Sequence, residues 1–91
     1  MELDVRHDAA AQEFSVEVDG RRGVLQYRLR EGVMTIVHTG VPDAIGGRGV
    51  AAELTRVALE TARANGWKVV PACAYASAFM RRHPGYADLL R

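Results

Sequence analysis

Cysteine, proline and aromatic residues are scarce in this chain of 91 residues. The single cysteine, Cys73, excludes an internal disulfide and is typical of proteins in reducing compartments. Three scattered histidines and one cysteine lack the spacing of a metal site. No apolar run approaches the roughly 18 residues of a membrane helix, and the N-terminus has no apolar signal region. These absences predict a cytoplasmic protein with no membrane anchor and no bound metal.

An excess of either charge is also missing. Twelve Lys and Arg residues against eleven Asp and Glu residues give a formal net charge of +1, which offers no support for a general affinity for nucleic acids or membranes. Binding of nucleic acid through the Arg-rich third strand and Arg81 and Arg82 is a weak alternative, because few aromatic side chains are available for base stacking. The ordinary globular composition and the length predict one domain over residues 1–91, with one core.

Alternating apolar and polar residues predict strands in the first half of the chain. We expect a short edge strand over residues 2–6, a turn over 7–11, and half-buried strands over 12–19 and 25–30. Residues 33–37 are apolar at nearly every position, which favours an interior strand covered on both faces. Asp-Gly and Glu-Gly turns join the last three strands into an antiparallel meander.

A long amphipathic helix is predicted over residues 49–65, and Gly66 provides its C-terminal stop. Its apolar stripe consists of Val50, Leu54, Val57, Ala58 and Thr61. A fifth strand over 67–75, a short helix over 77–82 and a helical tail over 83–90 follow. A strand–helix–strand unit predicts that the fourth and fifth strands are parallel with a right-handed crossover. The expected fold class is therefore α/β (α+β), with a mostly antiparallel sheet.

Two prolines lie where the fourth and fifth strands are expected to separate. Pro71 falls within the fifth predicted strand and Pro42 follows the fourth, and proline removes a donor from a strand ladder. We interpret both as marks of parallel strands that begin paired and then splay. Splayed strands leave backbone groups unpaired in a cleft, where a ligand that carries amides, such as pantetheine, could bind.

The segment 38–54, HTGVPDAIGGRGVAAEL, has three glycines between a strand and the long helix, at Gly46, Gly47 and Gly49. Unpaired N–H groups at the positive end of a helix dipole favour an anion. Glycine lets a bulky anion approach the backbone and enters positive φ without strain. The loop lacks the Gly-Lys-Ser/Thr ending of an NTPase loop. It therefore predicts a seat for the diphosphate of a nucleotide-type cofactor.

Four short motifs carry a resemblance to a known family: His38-Thr39-x-Val41-Pro42, Gly47-Arg48-Gly49-Val50-Ala51, Pro71-x-Cys73-x-Tyr75 and His83-Pro84-x-Tyr86. With the order of elements, they make residues 12–90 resemble the small single-domain N-acetyltransferase-like proteins of the GNAT superfamily. The resemblance implies that acetyl-CoA is bound and that its acetyl group moves to an amine. It implies a pyrophosphate on residues 46–51, pantetheine between the fourth and fifth strands, and the acetyl group near Cys73.

The resemblance also implies a set of cofactor-binding residues: Thr39, Val41, Gly46, Gly47, Arg48, Gly49, Val50, Ala51, Tyr75 and Arg82. The superfamily's loop usually begins with Gln or Arg where this chain has Gly46, so backbone N–H groups and Arg48 are left to hold the anion. Larger relatives carry two helices between their first and second strands, for which residues 7–11 leave no room. An open acceptor side favours a large or loosely held amine substrate, such as a protein. The alternative is a non-catalytic acyl-CoA sensor or adaptor.

Three residues are candidates for catalysis, each with a structural alternative. Cys73 could take the acetyl group as a thiolate favoured by cations at residues 81–83, or be a small buried core residue. His38 could be a general base, or a strand-end residue bonded to the turn. Tyr75 could protonate the departing CoA sulfur, or be an aromatic at the core edge. Arg81 and Arg82 could pair with the 3′-phosphate of CoA, or lie on a solvated helix face.

Overall fold

Residues 3–91 are described by the computed structural model, and they form a five-stranded sheet with two α-helices. The strands are β1 (Arg6–Asp8), β2 (Glu13–Val18), β3 (Arg21–Arg30), β4 (Val33–Gly40) and β5 (Lys68–Pro71). The helices are α1 (Val50–Asn65) and α2 (Ala74–Arg82), and short 3₁₀ segments cover Asp43–Ile45 and Pro84–Leu89. The strands lie in chain order across the sheet, and only β4 and β5 pair in parallel. The predicted fold class and the parallel crossover are therefore confirmed.

The meander depends on two tight turns. Asp19 and Gly20 have φ of 51° and 74°, and Glu31 and Gly32 have φ of 50° and 77°. Each pair is the whole connection between two strands, and positive φ at both central residues matches the right-handed twist of the flanking strands. The predicted hairpins over β2, β3 and β4 are confirmed.

The first strand lies later in the chain than expected. The prediction placed a strand at residues 2–6 and a turn at 7–11, whereas β1 is Arg6–Asp8; Glu2 lies outside the described residues. His7 pairs with Phe14 across the two strands, its ring stacks on Phe14 at 4.1 Å, and its Nε2 lies 2.6 Å from the Tyr27 hydroxyl. These contacts draw His7 into the sheet, and sequence periodicity did not show them.

The packing of His7 makes stability depend on pH. Burial lowers the pKa of His7 from its usual value of 6.5, and the charge of Asp8 opposes this only in part. The unfolded chain then binds a proton at a higher pH than the folded chain does, so stability falls as the pH drops below about 6.5. We expect His7→Gln to flatten this part of a urea-unfolding pH profile, whereas an unchanged slope would contradict the assignment.

The core lies between one face of the sheet and both helices. Gly23 brings α1 close to β3, since a Cβ there would lie 2.9 Å from Cγ1 of Val50. The buried residues of α1 are Val50, Leu54, Thr55, Ala58, Leu59 and Ala62. Val57 and Thr61, expected on the buried stripe, lie at its margin and are half-buried. Gly66 ends α1 as predicted, with φ of 72°.

The strand β4 is covered on one face, not on both as predicted. Met34 and Ile36 are fully buried against the helices, while Val33 and Thr35 are half-buried and Val37 is 40% exposed. Within residues 3–91 no helix lies over the second face of the sheet. The run of apolar residues reflects β-branched side chains suited to a strand, not burial from two sides.

The end of β5 also differs from the prediction. Pairing between β4 and β5 stops at Ile36 and Pro71, and the N–H groups of Ala72 and Cys73 both donate to the Ile36 carbonyl. The chain then turns into α2 at Ala74, so residues 72–75 do not continue the strand and the helix begins three residues before the expected Ser77. The two strands separate here, as the prolines indicate.

The C-terminal tail is fastened to α1 by polar contacts. Tyr86 donates to Glu60 at 2.8 Å, and Arg63 forms an ion pair with Asp88 at 2.8 Å. The tail then returns to the sheet, where Leu90 forms a parallel bridge with Val69. None of the helices in the described part of the chain is long and apolar enough to span a membrane.

Candidate functional site

The glycine loop before α1 has the geometry of an anion nest. Gly47 and Gly49 have φ of 77° and 78°, and Arg48 between them is not in the positive-φ region. Alternating handedness turns successive N–H groups toward one point. Within residues 3–91 the N–H groups of residues 47–49 donate to no backbone carbonyl or side chain. A Cβ on either glycine would meet no protein atom within 4 Å, so the nest opens to solvent.

The other predicted loop residues differ in what they can offer an anion. Gly46 is extended and its N–H donates to the Asp43 carbonyl, so it shapes the loop. The Val50 side chain is buried. Val50 and Ala51 can therefore offer an anion only their backbone N–H groups, in the first turn of α1. Arg48 forms an ion pair with Asp19 in the turn after β2. Val41 is half-buried and lines the core beside Gly23.

An irregularity in β4 decides where its last side chains point. Tyr27 pairs with Ile36 and Gln26 pairs with His38, so Val37 is an extra residue that faces no partner. Without this β-bulge, His38 would share the buried face with Ile36, because side chains alternate along a strand. With it, Thr39 pairs with buried Leu25 and faces the helices, while His38 lies on the open face.

Beyond the bulge, one edge of β4 has no neighbouring strand. Residues 38–40 remain paired with β3 on one side, but β5 has already ended at Pro71 on the other. Backbone N–H and C=O groups along such an edge are available to a ligand in extended conformation. The open edge leads directly, through residues 41–46, to the nest.

Cys73 lies across this opening at the start of α2. It is the N-cap residue, and its Sγ accepts a hydrogen bond from the N–H of Ala76 at 3.4 Å. Thr39 Oγ1 lies 3.5 Å from the same sulfur. A negative charge on Sγ would be stabilised by the helix N-terminus and by this donor. The side chain is half-buried, so a ligand in the opening can reach it.

The cations expected beside Cys73 lie elsewhere. Arg81 and Arg82 occupy the last turn of α2 and His83 follows it, roughly 12 Å along the helix at 1.5 Å per residue. His83 stacks on Phe79 at 4.0 Å and bonds to its carbonyl through Nδ1. The electropositive neighbour of the thiol is therefore the helix terminus itself.

Tyr75 lies two residues after Cys73, in the first turn of α2. Its ring is 37% exposed and stands 6.3 Å from that of Phe79. Burial raises the pKa of Tyr75 above its usual value, with the charge of Arg82 acting in the opposite direction. The hydroxyl therefore stays protonated at neutral pH and is able to donate.

His38 does not join this cluster, because it lies on the opposite face of β4. Its ring folds over Gly40, where a Cβ would lie 2.8 Å from Nε2. The structure therefore brings Cys73 and Thr39 into contact, places Tyr75 in the first turn of α2 with its ring near that of Phe79, and sets His38 on the far side of the opening.

A groove of about 220 Å³ runs between the two helices, from Gly49 at the start of α1 to His83 beyond the end of α2. Its walls include Ala52, Phe79 and Tyr86, and Arg56, paired with Glu53, lies at its margin. Arg82 is exposed next to His83. The groove thus joins the nest to the part of α2 that carries Arg82.

Two elements of the site escaped the sequence interpretation. The bulge at Val37 leaves no mark in the order of apolar and polar residues, because Val33, Ile36 and Val37 are all apolar. The N-cap role of Cys73 had a signal in principle, since a residue that can accept a hydrogen bond precedes an alanine-rich segment. Cysteine is not among the usual N-cap residues, so the segment was interpreted as a continuation of the fifth strand.

Comparison with known proteins supports this architecture. A family model described as GCN5-related N-acetyl-transferase matches residues 13–89. The chain belongs to the GCN5-related N-acetyltransferase family. The chain is 34% identical to mouse Protein NATD1, over 90% of this chain and 77% of the mouse protein. It is 32% identical to human Protein NATD1, over 90% of this chain and 75% of the human protein.

A solved structure agrees with the family assignment. The NMR structure of a GCN5-like protein from Staphylococcus aureus superposes with a TM-score of 0.77 at 27% identity, over 98% of this chain and 88% of that one. The GNAT resemblance drawn from the four motifs is thereby confirmed. The nest, the open edge of β4 and Cys73 all lie within the matched residues 13–89.

Proposed function

We propose that residues 1–91 act as one acetyl-CoA-binding domain that transfers an acetyl group to an amine. The observation that carries the proposal is the continuity of the nest with the open edge of β4. An anion seat and an unpaired strand edge are joined by residues 41–46, which suits a ligand with a diphosphate at one end and a chain of amides at the other. A cytoplasmic setting, which would keep Cys73 reduced, belongs to the same proposal.

The residues present fit such a ligand. N–H groups of residues 47–51 would hold the pyrophosphate, and the edge over residues 37–40 would pair with the pantetheine amides. The groove between α1 and α2 offers aromatic walls for a nucleobase. Arg82 precedes His83 at one end of this groove, where its guanidinium would bind a phosphate of the ligand. Acetyl-CoA supplies an activated acyl group as a thioester. Release of Arg48 from Asp19 would add a cation at the loop.

The geometry around Cys73 favours covalent transfer. The Cys73 thiolate, stabilised by the N–H of Ala76, forms a bond to the acyl carbon while the bond from that carbon to the CoA sulfur breaks. Tyr75 gives its hydroxyl proton to the departing sulfur. The amine acceptor then attacks the Cys73 thioester and expels the thiolate, and the proton that the amine loses returns through water to the Tyr75 oxygen.

Direct transfer is the second route. The amine would attack the CoA thioester itself, after losing its proton to His38 or to water. His38 lies on the open face, where a base for an incoming acceptor belongs, but its ring is 2.8 Å from where a Cβ of Gly40 would stand and contacts none of the Cys73 cluster. The two routes differ in whether acetylated protein accumulates.

Binding and turnover together test the proposal. We expect calorimetry to show CoA binding, and NMR to show shifted amide signals for residues 46–51 when CoA is added. A panel of amines and proteins should then release CoA from acetyl-CoA above the background rate. CoA binding without any release would favour the sensor or adaptor instead. Unmoved amide signals in the nest would overturn both functions.

A further inference from the structure

The helix-free face of the sheet carries a basic cleft at the start of β4. The cleft, of about 360 Å³, lies over the hairpin between β3 and β4. It is lined by Arg28, Arg30, Glu31, Val33, Thr35 and Arg91. Three cations face one carboxylate there, although the chain as a whole carries a net charge of only +1.

These arginines are available for a partner. Arg28 donates to the carbonyl of Tyr27 at 3.0 Å, and within residues 3–91 neither it nor Arg30 or Arg91 has a carboxylate partner. Elsewhere on this face, Arg22 does have a carboxylate partner, since it pairs with Glu13 at 2.6 Å. The backbone of Arg91 is anchored by a hydrogen bond from its N–H to the Val69 carbonyl.

The position of the cleft links it to the acceptor. In the proposed function the cofactor occupies the side of the opening that faces the helices, where the nest, Thr39 and Cys73 lie. An acceptor must then approach from the helix-free face, on which His38 is exposed. Arg28 and Arg30 are on that same face, opposite Thr35 and Val33 in register.

We propose that the acceptor is the lysine of an acidic polypeptide segment, whose carboxylates bind Arg28, Arg30 and Arg91; the inference rests on the proposed function. Arg28 and Arg30 are two and four residues from Gln26, the partner of His38, or roughly 7 and 13 Å along β3 at 3.3 Å per residue. An extended peptide has nearly the same rise, so the matching Asp or Glu side chains lie two to four residues from the acetylated lysine. A polypeptide suits this face better than a nucleic acid, because the cleft has no aromatic side chain for stacking.

Peptides of matched length test the spacing. Each carries one lysine, with three Glu residues at positions two to four on one side or the other, or with Gln at the same positions. We expect kcat/KM for the better Glu peptide to exceed that for its Gln counterpart by about fivefold to tenfold at low salt, and the ratio to approach one at high salt. Fluorescence polarisation of labelled peptides should show the same preference in binding.

Charge variants assign the preference to the cleft. Arg28→Gln with Arg30→Gln should remove the preference for Glu, without altering CoA binding or transfer to a small neutral amine. Arg21→Gln is the matched control. Arg21 is exposed on the same strand, but it is far from the cleft and its position in the alternation places it on the other face of the sheet. A preference that survives the double variant overturns the proposal. So does equal use of Glu and Gln peptides, or tighter binding of a single-stranded oligonucleotide.

The two proposals can fail separately. If CoA binds but no peptide is acetylated, the polarisation measurement still decides whether Arg28 and Arg30 select acidic peptides. If Glu and Gln peptides are acetylated equally well, transferase activity stands and the acidic acceptor is refuted.

Discussion

Cys73→Ser is expected to abolish the acetylated form of the protein and to lower turnover by a factor on the order of 10³ or more, since loss of a nucleophile removes its whole route. Intact mass spectrometry of the wild type with acetyl-CoA should show an adduct of about 42 daltons, the mass of one added acetyl group. Serine can still accept the N–H of Ala76, as serine is a favoured N-cap residue. The variant should therefore fold and bind CoA like the wild type.

The comparison with alanine separates chemistry from capping. Cys73→Ala should also lose the adduct, and in addition should lose about 1 kcal/mol of stability because the first turn of α2 loses its cap. If Cys73→Ser keeps turnover within a few fold of the wild type, the acceptor attacks the thioester of acetyl-CoA directly and Cys73 is structural. In that case Tyr75→Phe and His38→Gln become the informative variants.

Gly49→Ala is expected to weaken CoA binding by at least about tenfold, because the added methyl group projects beside N–H groups that must lie against an anion. The same change strains the backbone at φ of 78°, which costs about 1–2 kcal/mol. Isothermal titration with CoA and thermal unfolding without ligand measure the two effects independently.

Gly66→Ala is the matched control at the other end of α1. Its φ is 72°, and a Cβ there also meets no protein atom within 4 Å. Both variants should lower Tm by a similar amount, roughly 4–8 °C for each kcal/mol in a domain of this size. Only Gly49→Ala should lose CoA affinity. Equal affinity of both variants for CoA would show that the nest is not the phosphate site.

Much of the fold followed from local chemistry. The Asp19-Gly20 and Glu31-Gly32 pairs adopt positive φ and define the meander, and Gly66 ends α1, because few residues tolerate those conformations. The parallel pairing of β4 with β5 followed from a helix too long for any hairpin connection. Such features depend on a few neighbouring residues and are therefore predictable from sequence.

Features that depend on distant contacts were not predictable. His7 joins the sheet because its ring stacks on Phe14 and its Nε2 bonds to the Tyr27 hydroxyl. Val37 is exposed because no helix of the described residues covers that face. The site was predicted in part: the glycine loop and Cys73 were singled out from their motifs. Their arrangement was not, because the contact of Thr39 with Cys73 depends on tertiary pairing between residues 34 positions apart. Whether these residues bind acetyl-CoA remains a prediction.

The extra residue in β4 makes the site sensitive to the register of the strand as well as to its side chains. Loss of Val37 would leave His38 directly after Ile36, so the ladder would become regular while His38 stayed toward solvent and Thr39 toward the helices. A slip of one residue that took Val37 into the ladder would instead turn His38 toward the core and Thr39 toward solvent. The sequence would be unchanged, yet Thr39 would no longer face the Cys73 sulfur. Substitutions that favour such a slip could thus separate the scaffold from its chemistry, without changing any residue that a motif search recognises.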